Sequence, residues 1–507
     1  MNQTLSIPSS ITPSPQSASS PLWKFITQEK SNLTYLIIAA CGCTLEFFLF
    51  KLLYPYPDFI SDSRSYIETN LYHMNVNLWP IGYSKFLLLV HTISHSDTFL
   101  VGAQYFILEA SLAYFYFTIR YLFHPLTGTS RLLFVFLFLN PLFLYLSNFV
   151  LSDAIFAALT VTFLTQFLWL LKTPSLRLVL IQAIIVGLAF TIRYTALYYP
   201  LVSIIGLLLS RLKWPTRIAG LMTMIFLITP FYLFTKQQTK EITGTSQFSV
   251  FGGWQVANNA LYMYDLIRVD STLLPAGTEK LDRLARTFFK SVPPQSRELQ
   301  SYSGTFFIKA PFGVLKPYME SRYSYDDPIS QFRAWGAVSP LYEKYGAHLI
   351  IHHPFAFAQC FLWLNAKNYF LPHLEKFDVY NNGKKRIDNH IQDWFDYISP
   401  YVQSISPTLQ GKICYGYPIL FMILNIYFLA GGIWYLTKKQ YQRLTVHFRL
   451  SFLFMTTFLV INFAFSILAT IIVLRYEIVP LIILFSFFLL LLESPRNNYL
   501  ANHANTN

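Results

Sequence analysis

Charge is what this sequence has least of. Only 12% of its 507 residues are charged, about half the share an ordinary soluble domain carries, so a soluble globular protein is excluded. Cysteine is scarce too. Four cysteines are too few for a disulfide framework, and their spacing fits no zinc site. Cys41 and Cys43 fall inside an apolar run and read as packing residues, while Cys360 and Cys414 lie where a pairing outside a membrane stays open. There is no Gly-rich phosphate loop to bind a nucleotide sugar. The net charge of +13 is not gathered into a basic patch with interleaved aromatics, which argues against nucleic acid. The first thirty residues are rich in Ser, Pro and Thr and lack an apolar core. They read as a disordered tail, not as a cleaved signal peptide.

What is present is apolar sequence in long runs, near the roughly 20 residues that cross a bilayer. The expected fold is an all-α polytopic membrane protein of about ten spans. They are placed near Leu33–Leu53, Thr98–Tyr121, Leu132–Ser147, Asp153–Leu171, Leu178–Ile192, Thr195–Leu209, Ile218–Phe234, Tyr415–Leu436, Leu450–Leu474 and Ile478–Leu492. Two of about fifteen residues suggest tilted partners or broken helices. Basic residues fix the orientation. With the amino terminus inside, Arg120, Arg131, Lys172, Arg177, Arg211, Lys213, Arg217, Lys438, Lys439, Arg443 and Arg449 all reach the cytoplasmic side. Both termini are then cytoplasmic.

The expected organisation is a tail (1–30), an amino-terminal transmembrane module (31–235) with a first outer loop (54–97), a large outer-face segment (236–414), carboxy-terminal helices (415–494) and a second tail (495–507). Within the outer segment, "HHPFAFAQCFLWLNAKNYFLP" is apolar enough to pass for a span, but counting it would break the charge pattern. It reads as an interfacial helix near 348–371, with Pro354 in its first turn. "GYSKFLLLVHTIS" is open to the same reading. No internal repeat is evident.

Ionisable residues at membrane depth are costly and are usually functional or paired. Asp62 follows the first span, Asp153 opens the fourth, Arg193 ends the fifth, and Arg475 lies between the last two. All four fall on the outer face. Arginine offers phosphate a planar fork, and a carboxylate can act as a general base. This mixture suits a lipid phosphate whose head group reacts there. The competing reading makes the arginines snorkelling anchors and the aspartates helix caps. Among the other polar residues, Glu46 and Glu109 read as buried and paired, His352 and His353 as a helix start, and Asp326 and Asp327 as a turn before Pro328. Trp254 and Trp335 are open to sugar stacking or to interface anchoring.

The stretch "SDSRSYI" after span one resembles the first outer loop of the GT-C class of integral membrane glycosyltransferases, of the protein O-mannosyltransferase and aminoarabinose transferase type. "NPLFLYLSNFVLSDAIF", "FTIRYTALYYP", "VLRYEIVP" and "WPIGYSKFL" add to the likeness, which covers mainly the first 235 residues and the last thirty. "VFGGWQVANNALYMY" in the outer segment reads as a signature of closer relatives. The resemblance implies a GT-C-like fold and a glycosyltransferase of a bacterial inner (plasma) membrane. It would move a sugar from a polyprenyl-phosphate donor to a protein, lipid or glycan acceptor, with inversion. It implies Asp62 as the catalytic base, with Asp58 the weaker candidate, and Asp153 in acceptor or ion binding. Arg193 and Arg475 would hold the lipid phosphate, with Tyr194 and Tyr476 beside them. The family often pairs acidic residues in its first loop, whereas here Ser63 follows Asp62, so no metal ligand is carried over and a divalent metal is left open. An O-antigen polymerase or ligase, or a multi-pass lipid-saccharide transporter, are the alternatives.

Overall fold

The structure is a computed structural model that describes residues 21–504 except 302, 303 and 470; for 298–301, 440, 443 and 494–504 only the backbone is described. The first twenty residues of the amino-terminal tail lie outside the described residues, and Leu22–Gln28 forms a short helix whose Phe25 packs edge-on against Tyr121. Among the described residues the chain is helical, with isolated bridges in place of strands.

Seven helices are long and apolar enough to cross a membrane: Lys30–Leu53, Asp97–Phe123, Thr127–Asn148, Asp153–Lys172, Trp214–Thr243, Leu409–Thr437 and Val446–Ala469. Three shorter apolar helices, Leu176–Ile192, Tyr194–Leu209 and Ile478–Glu493, coincide with the remaining expected spans. The protein is therefore an α-helical, multi-pass membrane protein. Asp153–Lys172 is buried on most sides, whereas Lys30–Leu53 turns Leu45, Phe48 and Leu52 outward, as a lipid-facing helix must.

Several of these helices are broken where the sequence dictates. Thr127–Asn148 is interrupted at Asn140, whose side chain accepts from the Leu142 amide at 3.1 Å while Pro141 opens the next helix. Leu176–Ile192 ends at Arg193, which is extended, before a 3₁₀ turn over Tyr194–Tyr198. Trp214–Thr243 is 30 residues long, about 45 Å at 1.5 Å per residue, and so overruns a hydrocarbon core of about 30 Å. The boundary expected at 235 falls inside it.

The segment 236–414, expected on the outer face and called the outer segment, has two parts. Phe251–Leu362 has its own core around Trp254, Tyr342, Tyr345 and Phe307, whereas Tyr369, Phe377, Ile391 and Trp394 join the core of the helical bundle. The helix expected near 348–371 runs from Pro354 to Phe370, with a π turn at Ala358–Leu362, and leaves Phe355 and Trp363 exposed. His353 separates it from the long helix Pro328–His352.

Candidate functional site

The residues "DFISDSRSYIETN" divide their labour. Asp58 turns inward. It forms a parallel bridge with Phe149, and its carboxylate accepts from the Asn381 amide (2.9 Å) and from Gln410 (3.3 Å). Burial pushes this carboxyl up to about 7, against the hydrogen bonds and the charge of Lys376. Asp58 is thus a tie between the first loop and the outer segment. Arg64 and Glu68 pair at 2.6 Å and reach Asp388 (3.1 Å) and His390 (2.9 Å), a second tie. Asp62 is the carboxylate left facing the interior. It sits in the first turn of Ser61–Leu71, a helix whose start is held by Ile60 N–H donating to Ser63 Oγ at 3.1 Å. Among the described residues it has no ion-pair partner; only the Ser61 hydroxyl donates to it, at 3.2 Å.

Asp62 lines a cavity of about 1150 Å³ between the bundle and the outer segment. On the same wall stand Asp153, Arg193, Tyr194, Arg475 and Tyr476, so the residues singled out from the sequence share one space. Arg193 donates to Asp153 Oδ1 at 2.6 Å and Arg475 to Oδ2 at 3.1 Å. One carboxylate thus joins two guanidinium groups, and the Tyr476 ring lies 4.6 Å and 4.5 Å from them. Asp153 is the first residue of its helix and Ser152 makes no side-chain cap, so the capping reading does not hold for either. Arg193 and Arg475 are buried in this network instead of snorkelling to water. Tyr194 is turned aside, its hydroxyl donating to the Phe248 carbonyl at 3.4 Å.

The sequence reading missed Glu375, Lys309 and Lys376. A backbone bridge between His373 and Val473, with Leu474 N–H donating to the His373 carbonyl at 2.8 Å, brings Glu375 beside Arg475. Glu375 then accepts from Arg475 at 3.3 Å and from Lys309 at 3.2 Å, with Lys376 at 3.8 Å. Burial pushes this carboxyl up, but Arg475, Lys309 and Lys376 outweigh it and hold it at about 2. Its φ of +51° is unusual for a residue with a side chain. No local pattern marks Glu375, because its meaning comes from a partner a hundred residues away.

A narrow cleft of about 50 Å³ shares Arg193, Arg475 and Tyr476 with the cavity and runs among Phe156, Phe458 and Val479. The arginines therefore stand where a charged cavity meets an apolar crevice. The residues do not fit a divalent metal. Among the described residues no three His, Cys, Asp or Glu side chains converge, and Asp153 and Glu375 are already engaged by cations.

The remaining polar residues settle into structural places. Asp327 caps Pro328–His352, accepting from Ile329 (2.7 Å) and Ser330 (3.0 Å). His352 bonds the His348 carbonyl. Glu109 lies against the Cys43 thiol at 3.5 Å, whereas one oxygen of Glu46 finds no partner among the described residues. All four cysteines are free, Cys360 and Cys414 included, and Cys41 is exposed rather than packed. Trp254 is fully buried and stacked on Trp335 at 3.9 Å, which makes it a core residue, neither sugar platform nor anchor. Comparison of the chain with family models, with curated proteins and with solved structures finds no match.

Proposed function

We propose that this protein is a membrane glycosyltransferase that moves a sugar from a polyprenyl-phosphate donor to an acceptor at the outer face of a bacterial inner membrane. In this reading all ten apolar helices cross the membrane and both termini are cytoplasmic. The observation that carries it is the chain Arg193–Asp153–Arg475–Glu375, fixed beside the free carboxylate of Asp62 in one cavity and above an apolar crevice.

Each arginine keeps N–H groups beyond those given to carboxylates, and a guanidinium suits phosphate oxygens. The phosphate rests on Arg193 and Arg475, with only the first atoms of the lipid tail at the mouth of the crevice of about 50 Å³. Asp62 takes the proton of an acceptor hydroxyl or amine, which attacks the anomeric carbon. The bond from that carbon to the phosphate oxygen breaks, and its electron pair leaves with the polyprenyl phosphate. A single displacement inverts the centre. Donors already aimed at the phosphate stabilise its growing charge without reorganising. Asp153 and Glu375 hold those donors in place, so Asp153 acts as a positioning residue and not by touching the acceptor or an ion.

The test is release of free polyprenyl phosphate by purified protein, over a panel of polyprenyl-phosphate sugars. Turnover by the wild type should fall in Asp62→Asn by about 10²- to 10⁴-fold, the usual reach of a general base. Equal release by both proteins, or none from any donor, would remove Asp62 from this role and favour a transporter.

A further inference from the structure

The cavity has a second wall that the chemistry above does not use. It is built by the helix Phe251–Leu261, the core of "VFGGWQVANNALYMY", packed against Pro328–His352. Around Gln255 and Asn259 this wall is uncharged but polar, with Lys309 one turn beyond Thr305. Gln255 Nε2 donates to Asn259 Oδ1 at 2.7 Å, which leaves the Gln255 carbonyl oxygen and one N–H without protein partners among the described residues. Asn259 is 4% exposed and spends one N–H on the Leu468 carbonyl at 3.4 Å, keeping the other. Thr305 is 6% exposed, and its hydroxyl has no partner at all among the described residues. Beside these amides lie flat aromatic faces: Trp79 and Phe251 with centroids 5.2 Å apart, and Trp335 nearly parallel to Phe251 at 6.4 Å.

The Thr305 oxygen is shielded from the cavity, but the open amide positions of Gln255 and Asn259 are completed by whatever fills it. The ligand's chemistry follows from what surrounds these amides. An apolar chain would leave the amides unpaired, and neither Gln255 nor Asn259 carries the charge an anion needs. A ring with hydroxyls on its rim and C–H groups on its face satisfies both the amides and the aromatics. We propose that Gln255 and Asn259, with Trp79 and Phe251, form a subsite for a neutral sugar ring. The proposal rests on the glycosyltransferase reading and names which residues choose the sugar. That ring is either the one being transferred or one belonging to the acceptor.

The experiment uses the full chain in lipid nanodiscs, where no sugar-headed detergent competes, and a panel of methyl α- and β-hexosides followed by saturation-transfer NMR. At least one glycoside should bind saturably to the wild type. Binding should weaken about three- to tenfold in Gln255→Ala, the range of one neutral hydrogen bond. Thr305→Val is the control: it removes a shielded, unpaired hydroxyl on the same wall and should unfold at a higher temperature than the wild type while binding the glycoside equally well. A rise in KM for the polyprenyl-phosphate sugar in Gln255→Ala identifies the donor's ring, and a rise in KM for the acceptor alone identifies the acceptor's. No binding to the wild type, or wild-type affinity in Gln255→Ala, overturns the subsite. Loss of turnover in Asp62→Asn without glycoside binding would leave the transferase standing and this subsite refuted. Glycoside binding that depends on Gln255, with turnover unchanged in Asp62→Asn, would do the reverse.

Discussion

The two walls of the cavity solve the same problem in opposite ways. The bundle wall puts charge in a poorly hydrated place and holds its two arginines in ion pairs: Arg193 and Arg475 by Asp153, and Arg475 again by Glu375, which Lys309 meets from the other side. The outer wall puts neutral amides and one hydroxyl there, and leaves several of their bonding positions open. Buried charge cannot be left unmatched without a cost of several kcal/mol per ion. A buried amide or hydroxyl can be, for about 1–3 kcal/mol. The first wall must therefore be complete before anything binds, and the second can wait for its ligand.

The largest expected effect tests this difference directly. Asp153→Ala leaves two buried guanidinium groups facing each other, and breaking a buried pair costs about 3–5 kcal/mol. Gln255→Ala removes one hydrogen bond from the outer wall and should cost no more than about 1.5 kcal/mol. Thermal unfolding of the two variants beside the wild type checks both. A similar loss in each would mean that the charged wall is no more committed than the neutral one.

The same difference explains what could be read from the sequence. Asp62, Asp153, Arg193 and Arg475 stood out because charge at membrane depth is rare, and the structure brings all four to one cavity. The apolar runs showed where the helices lie for a similar reason. Glu375 sits among other charged residues in "HLEKFD", where a carboxylate attracts no notice, and only the His373–Val473 bridge gives it a role. Gln255, Asn259 and Thr305 carry no charge and no spacing that distinguishes them from a solvated helix face. The division of 236–414 was also hidden, because its two parts are told apart only by which core they join.

Two carboxyls outside the apolar helices sharpen the contrast through pH. Glu375 is held down at about 2, so its contribution to stability is present above the unfolded value of about 4.5 and is lost as pH falls toward 2. Asp58 is raised to about 7. Its contribution is full below the unfolded value near 3.8 and is lost as pH rises through about 7. At about 1.4 kcal/mol per pH unit of displacement, each contributes on the order of a few kcal/mol. Melting temperatures from pH 3 to pH 9 should show Glu375→Gln least stable relative to the wild type at neutral pH and converging with it in acid. Asp58→Asn should instead gain on the wild type between about pH 4 and pH 8. Parallel profiles for either variant would show that its carboxyl titrates alike in the folded and unfolded chain.

The smallest effect concerns how firmly the outer wall is held. Gly253 and Gly252 are neighbours in the helix that carries Gln255, but a side chain on Gly253 would overlap the Ser339 carbonyl oxygen, while one on Gly252 meets open space. Gly346, on the facing helix, also leaves no room for a side chain, with an added Cβ 2.7 Å from the Ala257 nitrogen. Backbone-to-backbone contact of this kind sets the helix at a fixed depth, and with it the height at which Gln255 and Asn259 meet the cavity. Gly253→Ala must push the helices apart, at about 1–3 kcal/mol for an overpacked contact. Gly252→Ala should be neutral or stabilising by up to about 1 kcal/mol, since alanine favours a helix. Unfolding of the two variants separates them, and the displaced helix should also weaken glycoside binding in Gly253→Ala. If the two alanines behave alike, the outer core yields easily, and the amides owe their position to the ligand rather than to the packing beneath them.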